Sequence, residues 1–354
     1  MKMKEQHKQI DLLQKKFYLS DWLASVIIKT IALISFISII LIFVFIIREA
    51  LPIFSYQPAD KNYSVEELEQ ESYGEENVAV EVPSNSKEGG SVFESKIQTN
   101  KSIWENIFSA VWEPISSQPK YGIIPLVIGS FKVTLIAILI AAPIGILAAL
   151  FTSIFAPRWA KEILKPSIEI LAGFPSVVIG FFALMVLATF FQNLLGYQYR
   201  LNAFVGGVAL SLAVIPIIYT VTEDSLSAIP KSYIEASLAL GAEKWQTALF
   251  VVLPAATPGI FAAVLLGIGR AFGETMIVLM ATGNAALISP SIFEPVRTMS
   301  ATIGAEMAEV VFGELHYNVL FLLGTILFIF TFSLNAIAEF YVRKKLLRKF
   351  GGEK

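Results

Sequence analysis

The sequence predicts an all-α membrane protein of six transmembrane helices with both termini in the cytoplasm. Three observations carry that prediction: an apolar composition, uncharged runs of spanning length, and basic residues gathered at both ends. Hydrophobic residues make up 55% of the 354 and charged residues only 16%, and the mean hydropathy is +0.66. Soluble globular domains are less apolar than this. No cysteine is present, which excludes disulfides and thiolate chemistry, and His7 and His316 stand too far apart in sequence to suggest a His-based metal cluster.

The uncharged runs cover 30–47, 133–157, 170–199, 201–222, 245–269, 275–293 and 317–338. A bilayer core of about 30 Å needs about 20 apolar helical residues. The fifth and sixth runs are parted only by Arg270 to Glu274, and Thr282-Gly283-Asn284 and Ser289-Pro290-Ser291 are loop signals. Those two runs therefore read as one helix ending near Ala281, which leaves six spans. Lys2, Lys4, Lys8, Lys15 and Lys16 precede the first, and Arg343, Lys344, Lys345, Arg348, Lys349 and Lys354 follow the last. Basic flanks stay in the cytoplasm, so the count must be even. Arg158, Lys161 and Lys165 place the connection between the second and third spans inside as well. The first span reads as a retained anchor: its apolar stretch exceeds that of a signal peptide, and Ile46-Ile47-Arg48-Glu49 offers no small-residue cleavage site.

The predicted organisation is a cytoplasmic segment 1–25, a first helix 26–47, an acidic periplasmic insertion 48–120, a core 121–342 and a basic tail 343–354. The insertion carries 13 acidic and six basic residues, a net of −7. Its part from Tyr63 to Gly90 is rich in Glu, Ser, Asn and Gly and predicts disorder. A docking or gating loop and a plain solvated insertion are both open readings of it. Ser102 to Trp112 has helical apolar spacing, which predicts an interfacial helix with Trp104 and Trp112 at headgroup level.

The fourth connection, about 223–248, is long, polar and helix-forming. Pro230 suits a helix start, Ser232 to Leu240 favours helix, and Gly241 suits a left-handed cap. Ala236, Ser237, Ala239 and Ala242 are small, which admits a close partner surface, and Glu235 offers charge toward it. Pro254 and Pro258 then re-enter the membrane, where neighbouring helices satisfy the freed carbonyls. Glu-Ala-Ser alone fits an ordinary interfacial helix. The spacing from Glu235 to Gly241 to Leu253-Pro254 favours a docking element instead.

A second constellation lies within the fifth span. Arg270 and Glu274 are four residues apart, hence on one face of a continuous helix. An arginine at the bilayer centre costs roughly 2.5–3.5 kcal/mol, so it faces the bundle interior and marks function by default. Its planar fork of donors suits oxyanions, and Glu274 can hold it and temper its charge. A purely structural intrahelical pair is the alternative. Ser176 and Thr275 offer hydroxyls to a passing anion or to a neighbouring helix.

Glu235-Ala236-Ser237-Leu238-Ala239-Leu240-Gly241 with Leu253-Pro254 resembles the EAA loop of bacterial ABC importer permeases; Ser237 in place of the second alanine and Val251 in place of isoleucine are mild departures. Gly269-Arg270-Ala271-Phe272-Gly273-Glu274-Thr275 resembles a run in the phosphate-specific permeases of that family. Gly129-Ser130 to Pro143, Gly173-Phe174-Pro175-Ser176-Val177-Val178-Ile179-Gly180, Pro295-Val296-Arg297-Thr298 and His316-Tyr317 are similar to its other motifs. The resemblance covers about 121–343 and is closer to the PstC-type subunit than to its PstA-type sister. It implies the type I ABC importer permease fold and passage of inorganic phosphate past Arg270, Glu274, Thr275 and Ser176. It further implies ATPase coupling through Glu235, Ala236, Ser237, Gly241, Leu253 and Pro254. The partners implied are a PstA-like second permease, a PstB-like ATP-binding dimer and a PstS-like periplasmic phosphate-binding protein. The acidic insertion departs from the family pattern.

Catalytic chemistry is not visible. No G-x-x-x-x-G-K-[ST] run is present to cradle ATP phosphates, so no cofactor is expected in this chain and ATP falls to the partner. Nothing points to nucleic acid. The other readings are an importer of phosphonate, sulfate or molybdate, and a stand-alone ion-coupled transporter or channel using Glu274. A purely structural scaffold would leave the intramembrane Arg–Glu pair unexplained.

Overall fold

A computed structural model describes residues 19–55, 103–116 and 119–350. The lysines at 2–16, the acidic stretch 56–102 and Lys354 lie outside the described residues. Among the described residues, six helices are long and apolar enough to span a membrane: Trp22–Phe54, Ile124–Phe155, Ser176–Leu195, Ala203–Ser227, Lys244–Phe272 and Leu315–Phe340.

Helix α1 (Leu19–Ala50) is apolar all round and almost wholly exposed, as a lipid-facing helix is. It touches the rest through aromatic pairs such as Phe43–Phe328, with ring centroids 5.0 Å apart. Helix α2 (Ile124–Leu150) opens with proline at its start and runs on through a π-helical turn, Phe151–Phe155. Helix α3 (Arg158–Gly173) is strongly amphipathic and ends at Phe174-Pro175, since the residue before proline is pushed out of the helical region. The 170–199 run is therefore divided: residues up to Gly173 belong to α3, and the third span begins at Ser176. That span comprises α4 (Ser176–Phe182), a π-helical turn Ala183–Leu187 and α5 (Ala188–Leu195).

Helix α6 (Ala203–Ser227) is capped by Asn202, whose side chain accepts from the Val205 amide at 3.0 Å. It is the axis of the bundle, packed along α2 and α8 (Leu253–Phe272). Small residues permit the approach: a Cβ on Gly207 would lie 2.5 Å from Ile136 Cγ2, and one on Gly267 would lie 2.9 Å from Ile218 Cδ1. Between α6 and α8 stand α7 (Lys231–Ala239), the short turn Lys244–Gln246 and a π-helical stretch Thr247–Val252.

The structure corrects the reading of 245–281 as one helix. Helix α8 stops at Phe272, Gly273 caps it, and α9 (Met276–Ala281) starts anew after Glu274-Thr275. Glycine disfavours helix by about 1 kcal/mol relative to alanine, and two glycines four residues apart, Gly269 and Gly273, precede the break.

The expectation for Ser102 to Trp112 is also corrected. The helix there covers only Ile103–Ile107, and Trp112 lies in a hairpin, β1 (Trp112–Glu113) paired antiparallel with β2 (Lys120–Tyr121). Trp112 is 5% exposed and packed in the core beside Tyr121 and Leu126 rather than standing at a headgroup surface. After a loop comes α10 (Met299–Glu306), capped by Thr298, and then α11 (Leu315–Phe350).

Candidate functional site

Packing contacts along α6 give the height of Arg270. Gly259 faces Ser225 and Gly267 faces Ile218 and Val214, so α8 runs antiparallel to α6 and Gly267 lies beside the middle of α6. Thr282 covers Gly206 near the start of α6. Arg270, about 4.5 Å beyond Gly267 along the axis, and the break at Gly273 therefore lie between mid-height and the Asn202 end of the bundle.

Arg270 Nη2 stands 3.6 Å from Glu274 Oε2, with the arginine side chain 55% exposed and the carboxylate 8%. At 3.6 Å the two attract but share no hydrogen bond. Among the described residues the guanidinium makes no hydrogen bond, so its donor fork remains presented. The pair survives the correction of the helix, but its geometry comes from the break and not from one helical face. Irregular backbone at membrane depth needs its polar groups satisfied, and Ser300 Oγ donates to the Glu274 carbonyl at 2.6 Å.

Thr275 stands at the break, and its Cγ2 fills the place a side chain on Gly304 would take, 2.5 Å from an ideal Cβ there. Packing against α10 is thus its visible use. Ser176 begins α4, one turn before Gly180, where an added Cβ would lie 3.0 Å from Met280 Sδ and 3.1 Å from the Met276 carbonyl. The third span therefore packs on α9 through Gly180, one turn after Ser176. Asn335 of α11, which sequence reasoning did not single out, reaches the same region with its Oδ1 over Gly269.

The other sequence-predicted group lies at the opposite end of α8. Helix α7 carries Glu235 and Ala236 exposed and Ser237 half-buried. Gly241 has φ +87° and nothing within 4 Å of a Cβ position, so glycine is needed there for backbone conformation alone. Ser237 Oγ lies 2.9 Å from Thr247 Oγ1, which stitches α7 to the buried start of the fifth span. Leu240 is 89% exposed and Trp245 48%. Leu253 is half-buried, and Pro254 is exposed near the start of α8. Nearby, Lys165 of α3 pairs with Glu223 of α6 at 2.8 Å. The hydrogen bond to Glu223, outweighing burial, raises the Lys165 pKa.

A third cluster was only partly visible in the sequence. Glu306 accepts from Arg297 Nη1 at 2.8 Å, pairs with His316 Nε2 at 2.9 Å, and accepts from Trp112 Nε1 at 3.1 Å. Burial alone would raise its pKa, but the bond to His316, the Arg297 charge and the Trp112 donor together bring it below the usual carboxylate range. Arg297 Nε also donates to Asn284 at 3.1 Å. Arg297 and His316 lie in motifs that resemble the family's, whereas nothing near Trp112 or Glu306 announces a contact 194 residues apart.

Residues 141–346 match the family model described as the binding-protein-dependent transport system inner membrane component. The chain belongs to this family. It is 40% identical over 228 residues to a Bacillus subtilis protein named probable ABC transporter permease protein YqgH, covering 64% of this chain and 74% of that one. It is 34% identical over 255 residues to the phosphate transport system permease protein PstC of Mesorhizobium japonicum, covering 67% and 77%. A PstC of Xylella fastidiosa (strain Temecula1) is 34% identical over 263 residues, covering 69% and 80%. As a member of the family, the chain is a multi-pass inner membrane permease component and not the ATP-hydrolysing one. It works within an ABC transporter complex that includes ATPase and binding-protein partners.

Proposed function

We propose that the chain is the translocation subunit of an ATP-driven importer of inorganic phosphate, built on the type I importer plan with both termini cytoplasmic. One observation carries this reading: an arginine at membrane depth presents its donor fork while its only described counter-ion, Glu274, is held back at 3.6 Å. A guanidinium binds an oxyanion through paired hydrogen bonds, and the adjacent carboxylate keeps the net charge low enough for release. The names of the PstC relatives support phosphate as that oxyanion. Solute released by a PstS-like binding protein meets Arg270 at the break between α8 and α9, and a PstA-like second permease completes the pathway. A PstB-like ATPase dimer, which binds the ATP, docks on Glu235, Ala236, Ser237 and Gly241, and Leu253-Pro254 carries that motion into α8. Thr275 and Ser176 flank the path.

The complex of all four components, reconstituted in vesicles, tests this. Labelled phosphate should enter on ATP addition and be displaced by unlabelled phosphate but not by equal sulfate, molybdate or phosphonate. Displacement by one of those anions at lower concentration would replace phosphate as the substrate, and uptake by this chain without the ATPase would overturn the importer reading.

A further inference from the structure

We propose that Glu306 is a positioning residue for translocation, and that α10 is the lever through which it sets the break carrying Arg270 and Glu274. This rests on the phosphate-importer reading for the meaning of the break, but not for the mechanical link itself.

Helix α10 has eight residues and is tied to the break along its length. Near its start Ser300 Oγ holds the Glu274 carbonyl at 2.6 Å. One turn later Gly304 lies under Thr275 so closely that a Cβ would stand 2.5 Å from the threonine methyl. At its end Glu306 receives Arg297, His316 and Trp112 at 2.8, 2.9 and 3.1 Å. These three donors come from three separate parts of the chain: the loop before α10, the start of α11 and the hairpin. A carboxylate with three donors from three elements fixes one orientation for the helix that bears it. Ser300 and Glu306 are six residues apart, about 9 Å along α10, which is short and stiff enough to pass a displacement from one end to the other. Ser300 takes up a carbonyl that the break has freed from helical bonding, so loosening α10 leaves that carbonyl unsatisfied at membrane depth. The break then opens or shifts, and Arg270 and Glu274 move with it.

The chain contains no cysteine, so one introduced thiol reports on the break. Gly273→Cys suits this, because Gly273 is exposed and a Cβ there meets only the Gly269 carbonyl at 3.6 Å. Labelling of Cys at 273 by a membrane-impermeant maleimide is measured in the assembled complex, with and without Glu306→Ala. The expected result is a labelling rate changed about tenfold, the effect of about 1.4 kcal/mol of lost positioning. Ser300→Ala, which cuts the other end of the lever and is the milder change, should move the rate in the same direction. The double variant should add little to either single one. Equal rates in the parent and in both variants, at parental complex yield, would overturn the proposal, as would full additivity. Phosphate uptake by the same preparations separates the two readings. A parent without uptake but with variant-sensitive labelling strikes the substrate, whereas normal uptake with insensitive labelling strikes the lever.

Discussion

Arg270 is more than half exposed, while Glu274, its counter-ion 3.6 Å away, is almost completely buried. The asymmetry fits the different tasks proposed for the two residues. Under the proposed function, the arginine would meet the passing anion and the carboxylate would set how strongly it is held. Glu274→Gln removes the tempering charge. Uptake initial rates should show maximal velocity falling about tenfold or more while half-saturation stays level or drops, because removing a compensating charge is worth more than about 1 kcal/mol at low dielectric. A rise in half-saturation with unchanged velocity would contradict the division of roles.

Ser237 departs from the alanine of the motif it resembles, and its hydroxyl meets Thr247 at 2.9 Å. Ser237→Ala leaves the buried Thr247 hydroxyl without that partner, a penalty of about 1–3 kcal/mol. Coupling, read as phosphate imported per ATP hydrolysed, should fall in Ser237→Ala and be largely retained in Ser237→Thr.

Gly241 has φ +87° with open space around it, so Gly241→Ala adds no clash and tests the backbone alone. The left-handed region costs an alanine about 1–2 kcal/mol. The variant should reach the membrane at parental level but co-purify with less ATPase.

The Glu306 pKa lies below its ordinary value, with burial opposed and outweighed by His316, Arg297 and Trp112. A depressed carboxylate pKa contributes stability that is complete above the unfolded value of about 4.3 and is lost as pH falls through the lower folded value. The melting temperature of the purified complex should therefore separate parent from Glu306→Gln at pH 6 and above. The gap should close progressively below about pH 4.3.

Apolar runs were enough to find six spanning helices, because a spanning helix must announce itself in composition. The motif around Gly241 likewise showed its left-handed turn, since few residues other than glycine accept that conformation. The break after Phe272 was hidden because a helical period crosses Arg270 to Glu274 without interruption; Ser300, which donates to the Glu274 carbonyl, lies 26 residues away in sequence. Trp112 was misplaced for a similar reason. A tryptophan at the end of an apolar helical pattern suits an interface, whereas here Tyr121, Leu126 and the distant carboxylate of Glu306 hold it inside. Local pattern records the demands of the bilayer well and records long-range polar pairing poorly.

The most direct test of the anion site is phosphate uptake by the complete complex bearing Arg270→Gln, with assembly confirmed by co-purification of the ATPase. Glutamine retains hydrogen-bonding groups but loses the charge and the fork, so uptake should drop by at least about a hundredfold, the loss of roughly 2.7 kcal/mol of transition-state stabilisation. Parental uptake in an assembled Arg270→Gln complex would contradict a translocation site at the break between α8 and α9.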